Sequence, residues 1–158
     1  MANVNPIPRG YHSLTPYLFI KGAAGAIDFY KTVFGATERM RMPGPDGRIM
    51  HAELQIGDSI VMLSDENPQM GALSPQSIGG TACGLNVYLA DVDAATRKAL
   101  ELGAKLVRPV RDQFYGDRSG SIIDPFGHLW SVATHIEDVA PEEMQRRMAA
   151  AMGQAAGA

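Results

Sequence analysis

The sequence of 158 residues contains a single cysteine, Cys83. One thiol excludes an intramolecular disulfide and a zinc site built from several thiolates. No apolar stretch approaches the roughly 20 residues that a membrane-spanning helix needs, so we expect no membrane contact. The first residues show no charged region followed by an apolar one, so we expect no signal peptide and a cytoplasmic location.

An excess of positive charge is also missing, since the formal net charge is −3 at pH 7. A nucleic-acid partner would require a basic stripe, and the basic residues here are scattered. The glycine-rich loops of nucleotide-binding motifs and the H-E-x-x-H zinc motif are absent as well. We therefore expect neither nucleic acid nor a cofactor as a partner.

Two segments, 14–64 and 83–136, share one order of predicted elements: strand, helix and three strands. The linker between them, 65–82, is polar and rich in proline and glycine, which is typical of a loop. A βαβββ module can bury only one face of its sheet, so two such modules gain by pairing. The pattern predicts one domain over 14–136 that is made of two modules.

The two ends of the chain differ from this repeat. Residues 1–13 are predicted to form an extended arm, because two prolines disfavour a helix there. Residues 137–158 are predicted to contain a helix that starts at Pro141 and then frays. Three methionines at i, i+4 and i+8 would line one face of this helix and dock on the body or on a second subunit: Met144, Met148 and Met152.

The segment "MHAELQIGDSIVML" (50–63) alternates between apolar and polar residues, as a half-buried strand does. Ala52, Leu54 and Ile56 share one parity and suit a helix-covered face. His51, Glu53 and Gln55 share the other parity and would point to the opposite face of the sheet.

The stretches "AIDFYKTVFGA" and "DPFGHLW" resemble the vicinal oxygen chelate superfamily, which includes glyoxalase I, extradiol dioxygenases and fosfomycin- and bleomycin-resistance proteins. "HAELQIGDSIVMLSDE" and "YGDRSGSIIDPFGHLW" are similar to its PhnB-like branch. The resemblance implies an α+β fold in which two βαβββ modules form a cupped, eight-stranded mixed sheet with helices outside. It also implies a ligand cleft inside the cup and a homodimer. We expect the predicted C-terminal helix in addition to this fold.

The resemblance further implies where a divalent metal would bind in metal-using members. The matching positions carry no imidazole and no carboxylate: Thr15, Met62, Gly84 and Ser131. A divalent ion needs three or four good donors, so we expect no metal at these positions. A displaced metal site made of His51, Glu53 and His135 remains an alternative.

Strand parity, anchored on those positions, predicts which side chains line the cleft. We expect Glu53 as general base and His51 as general acid, with the carboxyl pKa raised by an apolar surrounding. A wet sheet face with satisfied hydrogen bonds is the plainer alternative. The expected ligand-binding residues are Tyr17, Phe19, Gln55, Met62, Asn86, Tyr88, Arg118, Ser131 and His135.

Several of these side chains have a structural alternative. Arg118 can clamp an anionic ligand or bridge structural carboxylates. Trp130 has core parity, and Cys83 is expected to be buried. We expect a loop over 111–120 and an exposed His128 in the turn "DPFGH".

The sequence predicts a metal-free protein that binds a small molecule in its cleft. It either sequesters this ligand or catalyses acid–base chemistry on it through Glu53 and His51. The alternatives are a divalent-metal-dependent lyase, isomerase or dioxygenase of the glyoxalase type, and a resistance protein that sequesters a drug-like molecule.

Overall fold

A computed structural model describes residues 4–155, so the outermost residues of the predicted arm and tail lie outside the described part. Main-chain contacts divide the chain into two units. Unit 1 contains the described residues up to Ala82 together with Pro125–His128. Unit 2 contains Cys83–Asp124 and the described residues from Leu129 onward.

Unit 1 has the strand–helix–three-strand order that the sequence predicts. Its four-stranded sheet has the order β1-β4-β3-β2, with β1 parallel to β4 and the other neighbours antiparallel. Its elements are β1 (Tyr17–Ile20), α1 (Ala23–Phe34), β2 (Thr37–Pro43), β3 (Ile49–Ile56), β4 (Ser59–Asp65), a 3₁₀ turn (Pro68–Met70) and α2 (Pro75–Ile78).

Unit 2 repeats this topology in a second mixed sheet of order β5-β8-β7-β6. The predicted α+β fold class, with two βαβββ modules and a C-terminal helix, is confirmed. The elements are β5 (Gly84–Tyr88), α3 (Val92–Glu101), β6 (Lys105–Asp112), β7 (Asp117–Ile123), β8 (Leu129–His135) and α4 (Pro141–Ala155).

One face of the unit 1 sheet is buried beneath α1. The helix contributes Ile27 and Tyr30, both fully buried, and the sheet contributes Ile20 and Leu54 from the matching parity. Helix α1 ends at Gly35, whose φ of 66° is left-handed and is accessible to glycine without a steric cost. Because α1 covers only this face, the sheet residues of the opposite parity lie on a face that no helix of unit 1 is shown to cover, called the open face below.

The unit 2 sheet is covered in the same way, because α3 packs on β6, β7 and β8. Asp91 caps this helix, as predicted, with its carboxylate accepting a hydrogen bond from the Ala94 N–H at 2.9 Å. Trp130 is 2% exposed and belongs to this core. Its neighbour two residues on, Val132, is fully buried on the same side.

The linker contains structure that the sequence did not predict. Ser74 caps α2, and the Glu66 side chain accepts hydrogen bonds from the Ser74 N–H and the Ser77 hydroxyl. These donors lower the pKa of Glu66 to about 2. The 65–82 segment is therefore held locally by its own polar side chains.

The turn at 125–128 packs against α2, which overturns the expectation of an exposed His128. Gln76 donates a hydrogen bond from Nε2 to the Pro125 carbonyl at 2.9 Å. A Cβ on Gly127, whose φ is 94°, would lie 2.9 Å from Pro75 Cβ, so only glycine allows this approach. His128 is 7% exposed as a result.

Two further local expectations are wrong. Residues 111–120 contain the end of β6 and the start of β7, which are paired antiparallel, and only 113–116 form the turn between them. Cys83 is exposed, since β5 begins only at Gly84 and the cysteine lies before it.

Helix α4 carries its methionines partly in solvent. Met148 is 42% exposed and Met152 is 65% exposed. Arg147 on this helix forms an ion pair with Glu137 at 2.7 Å, which ties the helix to the segment before it. Within residues 4–155, no helix combines the length and the apolar character that crossing a membrane requires.

Candidate functional site

A row of side chains crosses the open face of the unit 1 sheet. Tyr17 pairs in register with Met62, Met62 pairs with Glu53, and Glu53 pairs with Met40. Directly paired residues on neighbouring strands point to the same face. The row therefore places one carboxylate between two methionine side chains, with a tyrosine at one end.

Glu53 is the buried centre of this row, with 6% of its surface exposed. The Tyr11 hydroxyl donates a short hydrogen bond to its Oε2. His51 Nε2 lies 3.3 Å from its Oε1. The Arg39 guanidinium lies 5.0 Å from the centre of the Tyr11 ring, which is a cation–π contact.

The hydrogen bonds continue from His51 to the edge of the sheet. The Tyr17 hydroxyl lies 3.0 Å from His51 Nδ1. An ionised carboxylate accepts only, so His51 Nε2 carries the proton that binds Glu53. In the neutral imidazole Nδ1 is then an acceptor and Tyr17 donates to it, which gives the ordered chain Tyr17–His51–Glu53.

The pKa of Glu53 is opposite in direction to the expectation from sequence. Burial raises the pKa of this carboxyl, but hydrogen bonds from Tyr11 and His51 favour the charged form. Their combined effect holds the pKa of Glu53 below its ordinary value. The hydrogen bond between Tyr11 and Glu53 also raises the pKa of the Tyr11 hydroxyl. Glu53 is therefore a stable anion and a weak base.

A pocket of about 600 Å³ in unit 1 adjoins this chain. Tyr17 and Phe19 form part of its wall, with their ring centres 5.3 Å apart, and Met50 and Ser64 also line it. Aromatic and apolar walls with a few polar groups are typical of small-molecule sites. Tyr17 is both a wall of the pocket and the outer end of the hydrogen-bonded chain.

The remaining predicted residues of unit 1 lie on the same open face. Phe19 is 37% exposed, and Met62 and Gln55 are half-buried. The Gln55 amide donates to the Gly57 carbonyl at 3.0 Å, so this side chain also holds the β3–β4 turn.

In unit 2 the structure places Asn86, Tyr88, Ser131 and His135 on one sheet face. This face carries the parity opposite to the buried Trp130 and Val132. Asp117, which is 6% exposed, accepts a hydrogen bond from the Tyr88 hydroxyl at 2.8 Å. His135 Nδ1 lies 2.7 Å from the other oxygen of Asp117.

The hydrogen bond to Asp117, and to a lesser extent the one to Asp138, raises the pKa of His135 above its ordinary value. We expect NMR titration of the imidazole protons to show this raised pKa. A raised folded-state pKa contributes stability that is present below the ordinary pKa and is lost as pH rises through the folded-state value.

Asp117→Asn keeps the size of the partner and removes its charge, so the titration of His135 in this variant should move down toward the ordinary pKa. Asp138→Asn is the control for an exposed partner, and we expect it to cause a smaller shift. An unchanged titration midpoint in Asp117→Asn would contradict the assignment.

Arg118 lies on the other face of the unit 2 sheet. It pairs in register with Thr134, whose hydroxyl binds α3 through the Val92 N–H. The Arg118 guanidinium contacts Asp93 at 2.6 Å and Asp112 at 2.8 Å. These contacts support the structural alternative for this residue.

The side chains at the positions of the superfamily metal site do not fit a divalent ion. They offer hydroxyls from Thr15 and Ser131 and a thioether from Met62, and Gly84 has no side chain. The registers Tyr17–Met62 and Asn86–Ser131 agree with the repeat offset on which these positions rest. Across residues 4–155, no three His, Cys, Asp or Glu side chains are grouped to hold a metal, so the displaced set His51, Glu53 and His135 has no support.

Tyr11 is the site residue that sequence reasoning missed. It lies 42 positions before Glu53 in the chain and outside any regular element. No periodicity or spacing links two residues so far apart, because the contact depends on the path of the N-terminal arm.

Comparisons with known proteins agree with this fold. A family model described as Glyoxalase/Bleomycin resistance protein/Dioxygenase superfamily matches residues 11–132. An uncharacterised protein of Mycobacterium tuberculosis is 44% identical over 139 residues, which cover 86% of this chain and 82% of that protein.

Solved structures are also similar to this chain. TioX from Micromonospora sp. ML1 has a TM-score of 0.61 and 28% identity, over 82% of this chain and 100% of that one. The PhnB protein from Bacillus cereus has a TM-score of 0.61 and 18% identity, over 78% of this chain and 99% of that one. At this lower identity the likeness shows the fold alone.

Proposed function

We propose that this chain, which belongs to the Glyoxalase/Bleomycin resistance protein/Dioxygenase superfamily, binds a small organic molecule on the open face of its β1–β4 sheet and exchanges a proton with it. The observation that carries the proposal is the chain Tyr17–His51–Glu53, whose outer end is a wall of the pocket in unit 1. Glu53 and His51 are the catalytic residues predicted from the sequence. Tyr17, assigned there to ligand binding, becomes the group that meets the ligand.

Each member of the chain has a distinct role in the proposed proton transfer. The Tyr17 oxygen accepts a proton from the ligand as its own proton moves to His51 Nδ1. Glu53 holds His51 in the required tautomer and stabilises the positive charge that the imidazole gains, as the third member of a catalytic triad does. The hydrogen bond from Tyr11 favours the charged form of Glu53 and so lowers its pKa.

The pocket supplies the remaining requirements of this proposal. Tyr17 and Phe19 suit a flat or apolar ligand, and the Ser64 hydroxyl at the pocket wall can orient it. Glu53 is 6% exposed and is not among the residues that line the pocket, so water reaches it poorly. The proposed ligand therefore contacts Tyr17 directly and Glu53 only through His51.

The experiment has two steps. A thermal-shift screen of metabolites identifies ligands, because a molecule that prefers the folded state raises the melting temperature. Each ligand is then incubated with the protein in D₂O, and mass spectrometry measures deuterium incorporation at carbon. Incorporation above the rate without protein supports proton exchange.

Sequestration of a ligand without chemistry is the second candidate. It is favoured by one observation: both nitrogens of His51 and both oxygens of Glu53 already have hydrogen-bond partners. A ligand that raises the melting temperature and gains no deuterium would support this candidate over catalysis.

The glyoxalase-type metal-dependent reaction is the third alternative. Because the donor set at the four expected positions does not fit, we derive no step through a metal. Elemental analysis of purified protein checks this, and a divalent ion at one per chain would overturn the metal-free proposal.

The proposal also includes a homodimer in the cytoplasm. The exposed Met148 and Met152 on α4 offer an apolar surface to a second copy. Light scattering after size exclusion measures the mass, and a monomer at micromolar concentration would contradict the dimer.

A further inference from the structure

A row of hydrogen-bond donors crosses the unit 2 sheet, apart from the chain on unit 1. Arg108 pairs in register with Ser121, Ser121 pairs with Ser131, and Ser131 pairs with Asn86. The row thus takes one residue from each of the four strands. Its members share a face because directly paired residues point the same way.

This donor row lies on the face away from α3. The adjacent residues of opposite parity, Ile122 and Trp130, are buried on the helix side of the sheet. Asn86 is exposed and Ser131 is half-buried, so the row remains accessible to a ligand. Ser121 is 5% exposed and forms the floor beneath Arg108.

The Arg108 guanidinium is held in place by a hydroxyl. Its Nε and Nη2 donate to the Ser121 Oγ at 3.0 Å and 2.8 Å. Among the described residues it has no carboxylate partner, and its Nη1 makes no hydrogen bond. One edge of the guanidinium is therefore oriented by the protein while the other remains free to bind.

Some arginines of the chain are held by carboxylates. Arg41 binds Glu38, Arg118 binds two aspartates, and Arg147 binds Glu137 and Glu143. Arg108 is not one of them, because its guanidinium is held by a serine hydroxyl. Ion pairing within the fold does not account for Arg108.

The charges around the row favour an anion. Arg111 lies in the next row, paired in register with Ser119. The nearest carboxylate on this face of β7 is Asp117, four residues along the strand from Ser121, which is about 13 Å. Its oxygens are already bound by Tyr88 and His135.

We propose that Arg108, with Ser131 and Asn86, binds an oxyanion of a small molecule, either a carboxylate or a phosphate group. A guanidinium edge matches the two oxygens of such a group, and a hydroxyl and an amide add two further donors. This site does not depend on proton exchange at Tyr17, so the two proposals can fail separately.

The test measures binding of inorganic phosphate and of acetate by ¹H–¹⁵N NMR at constant ionic strength, with chloride as the reference ion. The proposal predicts saturable shifts of the Ser121, Ser131 and Asn86 amides with phosphate, acetate or both. The two probes separate a phosphate site from a carboxylate site. Shifts no larger than those with chloride would overturn it.

Arg108→Gln removes the positive charge and the planar guanidinium with its paired N–H donors. We expect the dissociation constant for the anion to rise at least about tenfold. Arg97→Gln is the matched control, because it removes the same charge from an exposed position on α3 of the same unit. Equal weakening in both variants would show a general charge effect and overturn the site.

Two further variants protect the test against a folding defect. Arg108→Lys keeps the charge and loses the planar fork, and Ser121→Ala removes the hydroxyl that orients the guanidinium. Both should weaken binding by several-fold while the amide spectrum stays that of a folded protein. Wild-type affinity in both variants would contradict the proposed geometry.

Discussion

In the His51→Ala variant, deuterium incorporation into a bound ligand is expected to fall by about 10²- to 10⁴-fold, the range typical of a lost general acid–base group. The physical reason is that Tyr17 loses the acceptor that takes its proton, at 3.0 Å from its hydroxyl. Mass spectrometry of the ligand over time in D₂O measures the rate.

Tyr17→Phe and Glu53→Gln separate the roles within the same chain. Tyr17→Phe keeps the aromatic wall of the pocket and removes only the hydroxyl, so the rate should fall while the dissociation constant changes little. Glu53→Gln keeps the side-chain size and removes the charge that stabilises a protonated His51. Its rate should fall as well, with the ligand still bound.

Thr37→Ala is the matched control for these variants. Thr37 is an exposed residue of β2 in the same sheet, and it pairs in register with Gln55 rather than with a member of the chain. We expect its exchange rate to stay near that of the wild type. If His51→Ala and Tyr17→Phe also keep the wild-type rate, proton exchange through this chain is wrong and sequestration remains.

The candidate site could be predicted from sequence only as far as strand parity reaches. Alternation in 50–63 placed His51 and Glu53 on the open face because a strand has a strict period of two. For Tyr17, the same period was counted from Thr15, a position given by the family resemblance, and it placed Tyr17 on the face that lines the cleft. Parity predicts which face of the sheet a side chain lies on, but it does not predict which side chains on that face contact one another.

Several features that sequence reasoning got wrong or left open depend on contacts between distant segments. The pKa of Glu53 is lowered because Tyr11 reaches it from the N-terminal arm. His128 is buried because its turn packs on α2, a helix of four residues that carries too little pattern to predict. Arg118 is engaged by Asp93, 25 positions earlier in the chain. Local periodicity contains no information about these pairs.

Trp130→Ala is expected to lower the free energy of unfolding by about 3–5 kcal/mol, the range for truncating a large buried aromatic side chain. Trp130 is 2% exposed, and its indole Nε1 donates to Asp124 Oδ2 at 2.9 Å in a buried environment. The substitution removes the packed ring and this donor together. Equilibrium denaturation with urea, followed by far-UV circular dichroism, measures the loss.

Ser131→Ala is the matched control, because Ser131 is the next residue on β8 and points to the open face instead. A truncation there removes one hydroxyl outside the core and should change the free energy of unfolding by no more than about 0.5 kcal/mol. The loss in the free energy of unfolding for Trp130→Phe should lie between those of Trp130→Ala and Ser131→Ala, because this variant keeps an aromatic ring and loses the hydrogen bond to Asp124. If Trp130→Ala instead unfolds like the wild type, Trp130 is not a core residue, and the parity on which both open faces were assigned fails with it.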